Sequence, residues 1–125
     1  MKTVIILAGV YNLFLAFFHI LFWKVFRWKK DLKKLSYENK AIIQILNIQI
    51  IYLFLMVAAT CFIFPEELVE TKLGNFFLLL NSCFWLVRVI QQFIFLRINH
   101  YFVHFLTLLF IIGTIIFILP LLKYL

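Results

Sequence analysis

Residues 101–122 read YFVHFLTLLFIIGTIIFILPLL, a run without a lysine, arginine, aspartate or glutamate. A helix that crosses about 30 Å of hydrocarbon needs roughly 20 mostly apolar residues. This run meets that requirement, and three more follow on working outward: 73–96, 41–64 and 3–23. None contains an acid, and only 73–96 contains a basic residue, Arg88. With 66% of 125 residues apolar, a water-soluble fold could not hide the surface, because small domains leave much of theirs in water. Backbone polar groups inside lipid must be satisfied within each span, which selects helices. The expected fold is all-α: a single membrane domain over residues 1–125, built as an antiparallel four-span bundle.

A cleaved signal peptide would also place Lys2 before an apolar run. The run is long for that purpose, and no small-x-small site follows it before the lysines begin. The first span is therefore read as retained.

The formal charge of +7 is unevenly distributed. Lys24, Arg27, Lys29, Lys30, Lys33, Lys34 and Lys40 lie between the first and second spans, whereas Glu66, Glu67 and Glu70 face only Lys72 in the next connection. Basic residues collect on the cytoplasmic side, so the lysine-rich segment and the turn near Asn99 are expected inside. Both termini and the acidic connection are expected outside. A nucleic-acid role is disfavoured, since the basic run is pinned between two spans; anionic lipid headgroups are its natural counterpart. Within that run Val25, Trp28, Leu32 and Leu35 recur at three and four, the spacing of a short amphipathic helix in the interface. Ser36 is placed to cap the second span, and Pro65 ends it. The turn at 97–100 is tight, so the last two spans are expected to form an antiparallel pair.

Cys61 and Cys83 differ in depth by about 10 Å at 1.5 Å per residue. No disulfide is expected, and both read as small buried hydrophobes.

Polar and small residues recur at helical spacing within the spans: Gly9, Asn12, Ala16 and His19 in the first, and Gln44 and Asn47 in the second. The third carries Gly74, Asn81, Trp85, Arg88 and Gln92; the fourth carries His100, His104, Thr107 and Thr114. Such stripes face other helices rather than lipid. Antiparallel threading brings His19, Gln44, Asn47, Gln91, Gln92 and His104 into the inner half of the membrane. Arg88 lies roughly 13 Å from the inner end of its span. These residues predict a polar cavity open to the cytoplasm, with Arg88 as its deepest cation. A guanidinium there costs at least about 2.5 kcal/mol and marks function unless it snorkels to the interface. The expected ligand-binding set is Arg88, His19, Asn47, Gln92, His104, Gln44, Asn81 and Asn12. His19 and His104 at one depth also admit a bis-histidine haem. A metal site from these two with His100 lacks any neighbouring acid or thiolate. No GxSxG, HExxH, phosphate loop or carboxylate pair is present, which disfavours hydrolytic and phosphoryl-transfer chemistry. The sequence requires no cofactor and leans away from an enzyme.

Residues 8–19, AGVYNLFLAFFH, followed by Phe22, Trp23, Phe26 and Trp28, and in the second span Asn47 and Tyr52, resemble small bacterial four-helix membrane proteins of the broad DoxX-like group. The resemblance covers about half the chain. It implies the four-helix fold, a bacterial inner membrane and a redox or quinone-linked setting. Some relatives carry an acid after the histidine, whereas Phe22 to Phe26 hold none here. Three functional classes follow. One is a module binding a lipid, quinone or similar amphiphile; the second is an accessory subunit of a larger complex or a homo-oligomer; the third is a haem protein using His19 and His104.

Overall fold

The structure, a computed structural model, describes residues 1–124 and is mostly helical, with no strand among them. Four helices are long and apolar enough to cross a membrane. They are α1 (Lys2–Ile20), α4 (Tyr37–Ile63), α6 (Lys72–Phe95) and α7 (Tyr101–Ile118), with shorter α2 (Phe22–Val25), α3 (Trp28–Asp31) and α5 (Pro65–Glu70) between them. Only 22–39% of each apolar window is buried within the chain, so most of that surface must meet lipid or another protein.

Local chemistry sets the boundaries. The second span begins at Tyr37 rather than near residue 41, because the Ser36 hydroxyl accepts from the Asn39 amide at 3.3 Å and holds a donor that the first turn leaves open. Pro65 takes the first position of α5, where its missing N–H costs nothing. Thr71 caps α6 by accepting from Gly74 N at 2.9 Å, and its own hydroxyl donates to Glu67 O at 2.7 Å. α7 is capped by the His100 ring, which accepts from Phe102 N at 3.1 Å.

The expected interfacial helix is not continuous. Residues 22–34 form α2, α3 and a 3-10 turn (Leu32–Lys34), broken at Arg27, whose φ of 52° and ψ of 44° are left-handed. That conformation costs an L-residue roughly 1–2 kcal/mol. Leu32 is buried, while Val25 and Leu35 are exposed.

The chain divides into two compact units, Gly9–Thr60, and Met1–Ala8 together with the chain from Cys61 onward. In the first, contacts pair residue 19 with 47 and 54, and 23 with 44. The numbers run oppositely, so the end of α1, with α2 after it, meets the first two thirds of α4 as a helical hairpin. In the second, Ser82 meets Thr114, Trp85 meets Phe110 and Gln92 meets Val103, which makes α6 and α7 a second hairpin. The Lys2 ammonium lies 3.6 Å from the Glu66 carboxylate, and the Lys123 ammonium donates to Val69 O at 3.5 Å. The start of α1, the acidic connection and the chain after α7 therefore share one end of that unit.

Within α6 the buried face is Gly74, Leu78, Ser82, Trp85 and Gln92, and within α7 it is Leu106, Phe110, Gly113 and Phe117. Gly74, Trp85 and Gln92 belong to the stripe read in the sequence; the other residues differ from it. Asn81 and Arg88 flank the first face, Thr107 and Thr114 flank the second, and His100 and His104 are exposed. Close helix packing selects small and apolar side chains, while Asn81, Thr107 and Thr114 bond to carbonyls of their own helix, Phe77, Val103 and Phe110. A polar residue satisfied by its own helix gives no packing direction.

Gly74 has another role. A β-carbon there would strike Glu67 O and Leu68 Cα and sit 2.7 Å from Leu68 O. Its hydrogen is what allows α5 to lie against the first turn of α6.

Candidate functional site

The residues singled out in the sequence fall into two groups, one in each unit. In Gly9–Thr60 the structure brings His19, Asn47 and Gln44 together at the end of α1. The last carbonyls of a helix lack intrahelical donors. Asn47 Nδ2 supplies one, donating to His19 O at 2.9 Å. The His19 ring bonds Leu15 O at 2.8 Å; a carbonyl only accepts, so Nδ1 carries the proton. The ring stacks on Phe22, with centroids 4.2 Å apart, and meets Phe54 edge-on at 5.1 Å. Trp23 Nε1 donates to Gln44 Oε1 at 3.1 Å, and Gln44 Nε2 donates to Lys40 O at 3.2 Å. Asn12 is 1% exposed in the middle of α1. Asn47, Gln44, Trp23 and the His19 ring thus serve to fasten the end of α1 to α4.

The second group differs because its polar groups are incompletely matched. Arg88 is half-buried on α6, with its guanidinium 4.5 Å from the centroid of the Phe110 ring. A cation over an aromatic face gains about 0.5–2 kcal/mol. Among the described residues no carboxylate pairs with it. Arg88 also lines an open groove of about 330 Å³ with Cys83, Phe84, Val87 and Gln91. Because α6 ends at Phe95, Arg88 stands roughly 10 Å from the helix end, shallower than the 13 Å read from the sequence. Cys83 is exposed in this groove and Cys61 is buried, and both thiols are free. The expectation of burial therefore fails for Cys83, whose face of α6 points away from α7.

One turn beyond Arg88, Gln92 is 2% exposed. Its Nε2 donates to Val103 O at 3.2 Å, while its Oε1 has no partner among the described residues. His104 is exposed, and its Nε2 lies 2.8 Å from Asn99 Oδ1. Asn81 bonds to Phe77 O of its own helix. His19 and His104 belong to different units, each ring engaged where it stands. Among the described residues no three His, Cys, Asp or Glu side chains gather closely enough for a metal ion.

Sequence reasoning missed Ser82, whose hydroxyl donates across the second hairpin to Thr114 O at 2.8 Å. The signal was present: Leu78, Ser82 and Trp85 are spaced at four and three, with a small polar residue at the centre. Asn99 was also missed as the partner of His104, five residues along the chain.

No family model, curated protein or solved structure matches the chain.

Proposed function

We propose that this chain is an integral membrane protein whose α6–α7 hairpin holds the polar head of an amphiphile, a lipid or a quinone-like molecule, against Arg88 and Gln92. Its four spans alternate in direction, with both termini outside the cytoplasm and residues 24–40 lying along the inner interface of a bacterial inner membrane. The likeness of 8–28 to DoxX-like proteins is in keeping with that setting. The observation that carries the proposal is Arg88: a cation within an apolar span, beside an open groove, stacked on Phe110 and unmatched by any carboxylate among the described residues. Intramembrane charge is costly and is retained where it has work. An anionic or carbonyl head would complete its hydrogen bonds, and the apolar sides of the groove suit a chain. His19, Asn47 and Gln44 move from the ligand set to packing, since their bonds are met within their own hairpin.

Mass spectrometry of small molecules that co-purify from the native membrane tests this. The wild type should carry a stoichiometric amphiphile that Arg88→Leu loses. Bulk lipid unchanged between the two would overturn the proposal and favour an accessory subunit, a reading supported by polar groups spent on helix packing, such as Ser82 on Thr114 O. For topology, a reporter fused to either terminus should be active outside; activity in the cytoplasm from both fusions would reverse the assignment.

A further inference from the structure

At the turn joining α6 to α7 lies a second open groove of about 260 Å³, whose polar lining is Gln92, Arg97, Asn99, His104 and Thr107. These groups are not equivalent. Arg97 is an exposed cation, and no acid lines the groove. His104 and Asn99 spend one bond on each other, with the ring proton on Nε2 because Asn99 Oδ1 only accepts. Gln92 is buried with its Oε1 unmet among the described residues. The bond at the other end of its carboxamide is long, 3.2 Å to Val103 O, and that carbonyl also accepts from Thr107 Oγ1 at 3.0 Å. The carboxamide is thus held at its nitrogen end, and its oxygen is the end that a ligand in the groove can satisfy. A buried acceptor without a donor weakens the state that holds it by roughly fivefold to a hundredfold, so a donor entering the groove gains up to that factor.

The surroundings select the donor. Arg97 stands at the rim and Arg88 one turn away, so an ammonium group is repelled while a hydroxyl is not. A quinone carbonyl is another acceptor and leaves Oε1 as it was. Arg97, for its part, favours an anion. We infer that this groove binds the head of a hydroxyl-bearing anionic phospholipid, its phosphate on Arg97 and a glycerol hydroxyl donating to Gln92 Oε1. The apolar wall, with Phe93 and Leu96, takes the start of the acyl chains. This rests on the amphiphile reading, adds the turn as a second site beside the Arg88 groove, and names the class of headgroup there.

The test is competition in nanodiscs of zwitterionic lipid, with the retained lipid read by native mass spectrometry. Phosphatidylglycerol competes against phosphatidylmethanol, which has the same charge and no hydroxyl, and against phosphatidylethanolamine. Wild type should retain phosphatidylglycerol about tenfold better than phosphatidylmethanol, with phosphatidylethanolamine weakest. Gln92→Met should abolish the preference between the two anions, and Arg97→Gln should weaken both equally. Equal retention of the two anions by wild type, which needs no variant to fold, overturns the inference; so does a preference that survives in Gln92→Met. If that preference is absent while Arg88→Leu still strips the amphiphile that co-purifies from native membrane, the headgroup assignment falls and the broader reading stands. Absence of both effects removes both.

Discussion

Replacing Arg88 by leucine should lose the amphiphile and leave the fold intact or firmer. The middle of α6 falls between Cys83 and Phe84, so Arg88 sits about 7 Å from it along the axis. An arginine at the centre of a span costs about 2.5–3.5 kcal/mol, which is an upper bound at this offset. Against it stands the contact with Phe110, 4.5 Å from guanidinium carbon to ring centroid, worth about 0.5–2 kcal/mol. Leucine removes both terms and restores an apolar side chain. The expected balance runs from no change to a gain of at most about 3 kcal/mol for the variant in the ligand-free state. Reversible denaturant titration in mixed micelles measures it, on protein stripped of bound small molecules, beside mass spectrometry of unstripped protein. Arg88→Lys is the informative partner, since it keeps the charge and gives up the planar group that stacks and donates in a fork; it should bind less than wild type and more than leucine. The reasoning is refuted if Arg88→Leu is destabilised by more than about 1 kcal/mol with its bound amphiphile unchanged. Arg88 would then be a packing residue.

Three further outcomes follow from the packing. Gly74→Ala should destabilise by about 1–3 kcal/mol despite a helix-propensity gain of up to about 1 kcal/mol, because the new carbon meets the backbone of α5; a melting midpoint at or above wild type, with Leu73→Ala (79% exposed) as the neutral control, would contradict the close approach. Asn47→Leu removes the donor on His19 O and should cost about 0.6–1.7 kcal/mol, the range of polar contacts between membrane helices, read by the same titration. Arg27→Gly relieves the left-handed strain at φ 52° and should be level or up to about 1 kcal/mol more stable, the greater freedom of glycine in the unfolded chain offsetting part of the relief; a clear loss of stability would mean that the Arg27 side chain holds the segment in place.

The ends of the helices were legible where a single side chain decides them. Ser36 and Pro65 stop and start helices by bonds they make, or cannot make, within three residues. His100 was not legible as a cap, because an imidazole accepting from Phe102 N depends on a ring orientation that the chain alone does not specify. The break at Arg27 was hidden for a related reason: Val25, Trp28, Leu32 and Leu35 keep helical spacing across it, and nothing in an arginine announces a positive φ. In the candidate site, Arg88 and Gln92 could be found from depth and polarity, but the roles of their companions could not. His19, Asn47 and Gln44 carry the same signature whether they line a cavity or fasten a hairpin. The difference is which acceptors their bonds reach, and those lie as many as 28 positions away.

By itself the sequence determined that four runs are long and apolar enough to cross a membrane, and where charge collects between them. Both are sums over local composition, and the cost of placing polar backbone or charge in hydrocarbon makes those sums decisive. Tertiary structure alone decided which face of each helix is buried, that Gly74 admits α5, and that the Gln92 oxygen is left unmet among the described residues. Those outcomes depend on shape and on distant acceptors, and in a chain this apolar nearly every face is hydrophobic enough to be buried, so hydropathy could not choose among them.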